Sequence, residues 1–297
     1  MRKTFAIACA ILASAVLRAQ DASSVAMPQS VVPRDVRTLS LGLVSASGDP
    51  AFRLLGDGRV NATLSWYAWA PKGAASNDIN ADLFMRFGDR LGVSAQIGYD
   101  SGAAYDIYDA DGIKGDSYNP SDMMIKLGAS YRFLPMLCAS VSARYLSSAL
   151  APSNSYSAFA ADAFVAATFG SARVAAGVTN IGTSVTGADG VAYPLPAAAS
   201  LAGSCKLSFA GVHAVDAYAQ ADYFFRGVLR AGTGVEYGYN GLAFVRLGYS
   251  YGGKSPVPSC LTLGLGINYY NFTIDASYLV GNSSITNTLG ISLGYRF

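Results

Sequence analysis

The chain has 297 residues, 52% of them hydrophobic and only 13% Asp, Glu, Lys or Arg, with 21 basic against 19 acidic side chains. Soluble domains carry about twice that charged share, so a densely charged soluble surface is excluded, and the near-neutral balance leaves no basic footprint for nucleic acid. Glu236 is the sole glutamate and His213 the sole histidine, too little for a hydrolase triad or a histidine metal site.

Residues 1–20 read as a secretory signal peptide. Arg2 and Lys3 precede an uncharged, mostly apolar run from Thr4 to Leu17, with small-residue cleavage sites at Ala13-Ser-Ala15 or after Ala19. The run is too short, with the wrong flanks, for a membrane-spanning helix and is set apart from the fold. With Arg2, Lys3 and Arg18 removed, the 19 acidic side chains outnumber the basic ones by one. No later apolar run is long enough for a spanning helix of about 18 residues or more. A hydrophobic chain of this kind satisfies its backbone in lipid only as a closed β-barrel. Cys138, Cys205 and Cys260 are scattered and odd in number, which gives neither a disulfide framework nor a zinc spacing. They read as small strand residues.

Residues 21–58 carry Pro28, Pro33 and Pro50 and one short apolar piece, Leu39-Ser-Leu-Gly-Leu-Val44, without strand rhythm. They are expected to form a periplasmic lead-in and candidate plug tucked into the barrel's lower mouth, a disordered tail being the alternative. Residues 59–297 form the barrel. Fourteen alternating segments follow in order, at about 59–70, 77–88, 90–102, 121–133, 137–150, 156–170, 172–183, 194–210, 213–225, 228–240, 242–252, 260–271, 272–282 and 286–297. Each is about the 9–11 residues that a tilted strand needs to cross a bilayer, or slightly longer. In the third, Leu91, Val93, Ala95, Ile97 and Tyr99 oppose Gly92, Ser94, Gln96 and Gly98. In the twelfth, Leu261, Leu263, Leu265 and Ile267 oppose Thr262, Gly264 and Gly266. This period of two puts one face in an apolar medium and the other in a polar one. Tyr99, Tyr131, Tyr145, Tyr249, Tyr269 and Tyr295 recur at strand ends, where an aromatic girdle meets headgroups. Turns after even strands are tight, as at Gly88-Asp89, Leu134-Pro135, Gly170-Ser171, Ala210-Gly211 and Asn240-Gly241. Those after odd strands are mostly longer, notably 103–120 and 184–193. This parity matches short periplasmic turns and longer outer loops. A secreted β-sandwich would also alternate but would turn charged residues outward, whereas the polar face here is Gly, Ser, Thr and Asn.

Twelve charges are expected to face the lumen: Asp82, Arg86, Lys126, Arg132, Arg144, Asp162, Asp222, Arg230, Glu236, Arg246, Asp275 and Arg296. With both signs mixed in a narrow interior, they read as a ladder of ion pairs rather than an ion pathway. The loop from Tyr105 to Asp116 contains Asp109-x-Asp111-Gly112, part of a calcium-loop pattern, but lacks the terminal bidentate Glu. A hairpin turn raised above the barrel is the simpler reading. Tyr105, Ile107, Tyr108, Asp109 and Asp111 make this loop a candidate partner-binding surface, since aromatics are favoured anchors. His213 is placed at the periplasmic rim. Tyr295 and Phe297 close the last strand and resemble the aromatic C-terminal signal read by the outer-membrane assembly machinery.

Several ordered pieces resemble the PorV/PorQ family of outer-membrane proteins, related in fold to FadL-type fourteen-stranded barrels. They are Arg37-Thr-Leu-Ser-Leu-Gly42, Asn119-Pro-Ser-Asp122, Ile125-Lys-Leu-Gly-Ala-Ser-Tyr131, Gly177-Val-Thr-Asn-Ile-Gly182, Tyr193-Pro-Leu-Pro196, Val235-Glu-Tyr237, Val245-Arg-Leu-Gly-Tyr249 and Leu289 to Phe297. The resemblance implies an all-β, fourteen-stranded antiparallel transmembrane barrel in the outer membrane of a Gram-negative bacterium. It also implies a non-enzymatic role in type IX protein secretion, with no cofactor and no catalytic residue. The partners implied are outer-membrane lipid, secretion-system proteins and the signal domains of exported cargo. The alternative is a FadL-like transporter of small hydrophobic molecules. Its motive is the apolar lumen candidates Phe84, Phe224 and Leu279, and it requires a bulge or kink in one strand. A purely structural barrel is the third reading.

Overall fold

The structure is a computed structural model that describes residues 25–56, 58–69, 75–109, 111–152, 154–253, 255–281, 285 and 287–297. The signal-peptide reading of residues 1–20 falls outside these. The inner segment opens with a 3-10 turn at Pro28–Val31, a helical turn α1 (Val36–Leu39), a second 3-10 turn at Ser45–Gly48 and α2 (Pro50–Leu54). The strands follow: β1 (Val60–Trp69), β2 (Ser76–Phe87), β3 (Leu91–Gly102), β4 (Tyr105–Tyr108), β5 (Lys114–Tyr118), β6 (Ser121–Leu134), β7 (Leu137–Ala151), β8 (Asn154–Phe169) and β9 (Ala172–Gly182). Then come β10 (Val185–Thr186), β11 (Ala192–Tyr193), β12 (Ala198–Phe209), β13 (His213–Phe224), β14 (Val228–Tyr239), β15 (Ala243–Tyr251), β16 (Cys260–Tyr269), β17 (Phe272–Gly281) and β18 (Thr288–Arg296).

Fourteen of these strands close into one antiparallel barrel; β4–β5 and β10–β11 are small hairpins outside the ladder. β1 completes the ring against β18, with Leu64 opposite Leu293 and Ser65 opposite Ser292. Period-two patterning produces this directly. In β16, Leu261, Leu263, Leu265 and Ile267 are exposed while Thr262, Gly264 and Gly266 are buried. The same outward row continues through Leu64, Leu127, Val141, Val165, Leu201, Leu247 and Leu293. A continuous apolar belt this large has no place in water, and a closed ring leaves no unpaired backbone edge in lipid. Belt and ring together place the protein in an outer membrane.

Tight turns gather at one end. Asn240 (φ 53°) and Gly241 (φ 64°) both take left-handed backbone, the type I′ geometry whose twist suits a two-residue hairpin. By the usual polarity of such barrels this turn end faces the periplasm. The eighth barrel strand begins at Ala198 rather than 194, because Pro194 and Pro196 have no N–H to give a ladder. One connection after an odd strand, between β7 and β8, is also short.

Residues 25–56 lie inside the ring rather than at its lower mouth. Ala26 N–H donates to the Pro194 carbonyl at the loop end, and the Arg86 and Arg132 guanidiniums bond the Leu54 carbonyl near the turn end. Near the loop end Met27 packs with Met124, Leu146, Ala158, Ala160, Val185 and Leu195. Leu39 and Leu43 pack with Tyr67, Val257, Cys260, Leu279 and Ile285. Wall glycines make the passage possible: a Cβ at Gly234 or Gly248 would strike the backbone of Leu41 and Gly42.

Candidate functional site

The barrel seam between β9 and β12 is interrupted. In the neighbouring β8–β9 pairing the register steps from Ala161 opposite Ile181 to Ala163 opposite Val178, so Thr179 and Asn180 both face Asp162. This is a β-bulge, which bends a strand and re-aims its side chains. Asn180 takes the left-handed conformation at φ 55°, which asparagine tolerates better than other residues with a Cβ. On its other side β9 pairs with β12 from Ala172–Cys205 up to Thr179–Ala198, and among the described residues no rung lies above that. The seam is bridged there by a side chain instead: Asn180 Nδ2 donates to the Pro196 carbonyl at 3.4 Å.

A buried polar cluster fixes the bulge. Asp162 accepts from Asn180 N–H at 2.9 Å through Oδ1, and from Arg144 Nη2 at 2.6 Å and Lys126 Nζ at 2.7 Å through Oδ2. Arg144 Nη1 also donates to Asn180 Oδ1 at 2.8 Å and to the Ser30 carbonyl at 2.9 Å. One guanidinium thus joins the bulged strand to the inner segment. Charged hydrogen bonds of this kind are short and about twice as strong as neutral ones.

Two cavities flank this region. At the loop end a pocket of about 220 Å³ is enclosed by Val25, Pro194 to Ala197, Phe224 to Arg226, Val228 and Pro256, and its surface is almost wholly apolar. Below it a polar lumen cavity of about 1310 Å³ extends past Arg37, Asp82 and Asp216 to Arg296 and Phe297 at the turn end.

The lumen charges form the expected ladder: Arg230 with Asp222 at 2.7 Å, and Arg246 with both Glu236 and Asp275. The sequence reading missed that the inner segment supplies part of it. Arg34 pairs with Asp78 at 2.6 Å, Arg37 with Glu236 at 2.9 Å and Arg53 with Asp82 at 2.6 Å. Arg86 and Arg132 also bond the inner segment, at the carbonyls of Leu54 and Gly56. Phe84, Phe224 and Leu279 are all buried inside the ring.

The candidate loop residues bond to one another and to the loop end of β7. Tyr105, Ile107 and Tyr108 sit on β4, with Tyr105 Oη donating to the Leu150 carbonyl at 2.6 Å and its ring edge-on to Tyr118. Asp109 Oδ1 accepts the N–H groups of Asp111 and Ile113, so this carboxylate shapes the turn. Lys114 beside Asp106, with Ser117 donating to it, holds the Asp106 carboxyl below its ordinary range. Tyr295 packs edge-on against Phe272, and Phe297 exchanges backbone hydrogen bonds with Val60 in the closing seam. His213 stacks on Phe209 and shares a 2.7 Å hydrogen bond with the Tyr237 hydroxyl at the turn-end rim.

No protein-family model and no curated sequence matches the chain. Solved structures do share its fold. The toluene transporter TbuX of Ralstonia pickettii superposes with a TM-score of 0.63 at 15% identity, covering 91% of this chain and 100% of that one. The toluene transporter TodX of Pseudomonas putida gives 0.61 at 13% identity, with 90% and 99% covered. A FadL homologue of Pseudomonas aeruginosa gives 0.50 at 13% identity, with 94% and 98% covered. At such identities the likeness is one of fold: the chain forms a FadL-like, fourteen-stranded outer-membrane barrel. None of the three is a PorV/PorQ protein, and the secretion role implied by that resemblance gains no support from them.

Proposed function

We propose that the barrel is a non-enzymatic passage for small hydrophobic molecules, taken up at the loop end and released through the interrupted seam or into the lumen. The observation that carries this reading is the end of the β9–β12 ladder at Thr179–Ala198, beside an apolar pocket and next to the Thr179–Asn180 bulge of the β8–β9 pairing. It is the strand defect that a lateral outlet requires. Behind it lie small inward side chains, Ala158 and Ala160, in an apolar cluster. A dry cavity of about 150 Å³ already admits benzene, so about 220 Å³ suits a one-ring hydrocarbon. The toluene transporters that share the fold support the same choice. The secretion reading, with its cargo and secretion-system partners, rests on the family resemblance and would act through the outer loops 103–120 and 184–193; in the first of these Tyr105 is bonded to the Leu150 carbonyl of the barrel itself.

The test is uptake of radiolabelled toluene by a Gram-negative host whose lipopolysaccharide layer is intact. Cells producing the protein should take it up faster than cells without it. Equal rates would remove the proposal.

A further inference from the structure

The outer pocket and the lumen cavity are separate spaces that share one lining side chain, Phe224. Phe224 ends β13, opposite Ala198 on β12 and Val228 on β14. Its ring is 4% exposed and packs with Ala198, Val228 and Val31. Val31, on the inner segment, lines the lumen cavity, while Val25, six residues earlier, lines the outer pocket. The barrier is therefore one aromatic ring from the wall set against one aliphatic side chain from the filling. Small partners at Ala198 leave the ring as the bulk of it. Its backbone is anchored, since Phe224 O accepts from Gly227 N–H at 2.8 Å and Phe225 N–H donates to Ala197 O at 3.0 Å. The side chain is thus the part left to move. The neighbouring Val31 follows Ser30, whose carbonyl Arg144 holds.

We infer that Phe224 is the partition between the outer pocket and the lumen and sets the size of hydrophobe that passes inward. This rests on the transport reading above for the nature of the ligand, but not for the existence of the barrier. Changing an apolar passage by a methylene or more alters discrimination by about tenfold or more. Removing the ring leaves space that a rigid wall fills only in part.

The experiment has two arms in the full-length protein in intact cells. The first measures uptake of labelled toluene and of two-ring naphthalene. Phe224→Ala should raise the naphthalene-to-toluene ratio about tenfold, Phe224→Trp should lower both rates, and Phe133→Ala, which changes an outward ring that lines neither cavity, should leave the ratio unchanged. An unchanged ratio in Phe224→Ala overturns the assignment. The second arm needs no transport. A Val31→Cys variant, with Cys205 replaced by serine, is exposed to a membrane-impermeant maleimide from outside. Labelling should be slow with Phe224 present and clearly faster in Phe224→Ala; equal rates overturn the partition. If toluene uptake fails altogether while labelling still responds, the transport reading falls and the partition stands. Folding of each variant is checked by the heat-dependent gel shift of closed barrels. If Phe224→Ala does not close, Phe224→Leu and Val31→Ala open the same contact more gently and are held to the same outcomes.

Discussion

Asp162 carries more of the site than any other residue. Its side chain is 2% exposed, and it joins Lys126, Arg144 and the bulged backbone of Asn180. Removing one partner of a buried ion pair leaves the other charge uncompensated, at about 3–5 kcal/mol. Asp162→Ala should therefore lower stability by that order, read as a shifted urea midpoint of tryptophan fluorescence in detergent, while Asp189→Ala on an exposed loop should not. Gly248 sets a steric limit of the same local kind. Because any Cβ there meets the Gly42 backbone, Gly248→Val should displace the inner segment, seen as faster protease cleavage within residues 25–56 in the detergent-solubilised barrel.

Among the elements, the bulge is the one whose removal should change function without changing the fold. Deleting Asn180 restores equal residue counts between β8 and β9 and straightens β9 beside the seam, while Pro194 and Pro196 still keep β12 from pairing higher. Toluene uptake should fall while the heat-dependent gel shift persists; undiminished uptake would detach the seam from transport. The β4–β5 hairpin behaves independently. Since the Asp106 carboxyl is held below its ordinary range by Lys114 and Ser117, its contribution is present above the unfolded value and is lost as pH falls through the lowered one. The hairpin should keep its order in mildly acidic medium, and Lys114→Ala should make it a faster protease target at neutral pH. Strand faces and tight turns were legible because each depends on local pattern, as in Leu261 to Ile267 or Asn240-Gly241. The bulge left a sign that the alternation count passed over: Val174, Ala176 and Val178 hold the even positions, then Asn180 falls where an apolar residue is due and Ile181 moves to an odd one. Gly177 to Gly182 and Tyr193 to Pro196, the pieces behind the family resemblance, turned out to flank the seam. The Pro194/Pro196 pair was the available sign that β12 starts late.

For the whole molecule, the barrel and its filling are one object. The course of residues 25–56 could not be read because 3-10 turns and prolines carry no periodicity, and because its partners are contributed by strands far along the chain. Filling also decides conductance. The intact protein should give small or no current steps in planar bilayers, whereas a variant lacking residues 25–56 should show large, poorly selective ones. Identical traces would mean that the segment does not block the lumen.

Arg34, Arg37 and Arg53 have a consequence for biogenesis. Were the wall to shut first, Asp78 and Asp82 would be sealed in without Arg34 and Arg53, Glu236 would keep only Arg246, and a charged peptide would afterwards have to be threaded down a crowded tube. It is cheaper for the last hairpins to wrap around a peptide already in position. The order of assembly is thus written into three cations: the stopper is laid down early, and the vessel is made around it.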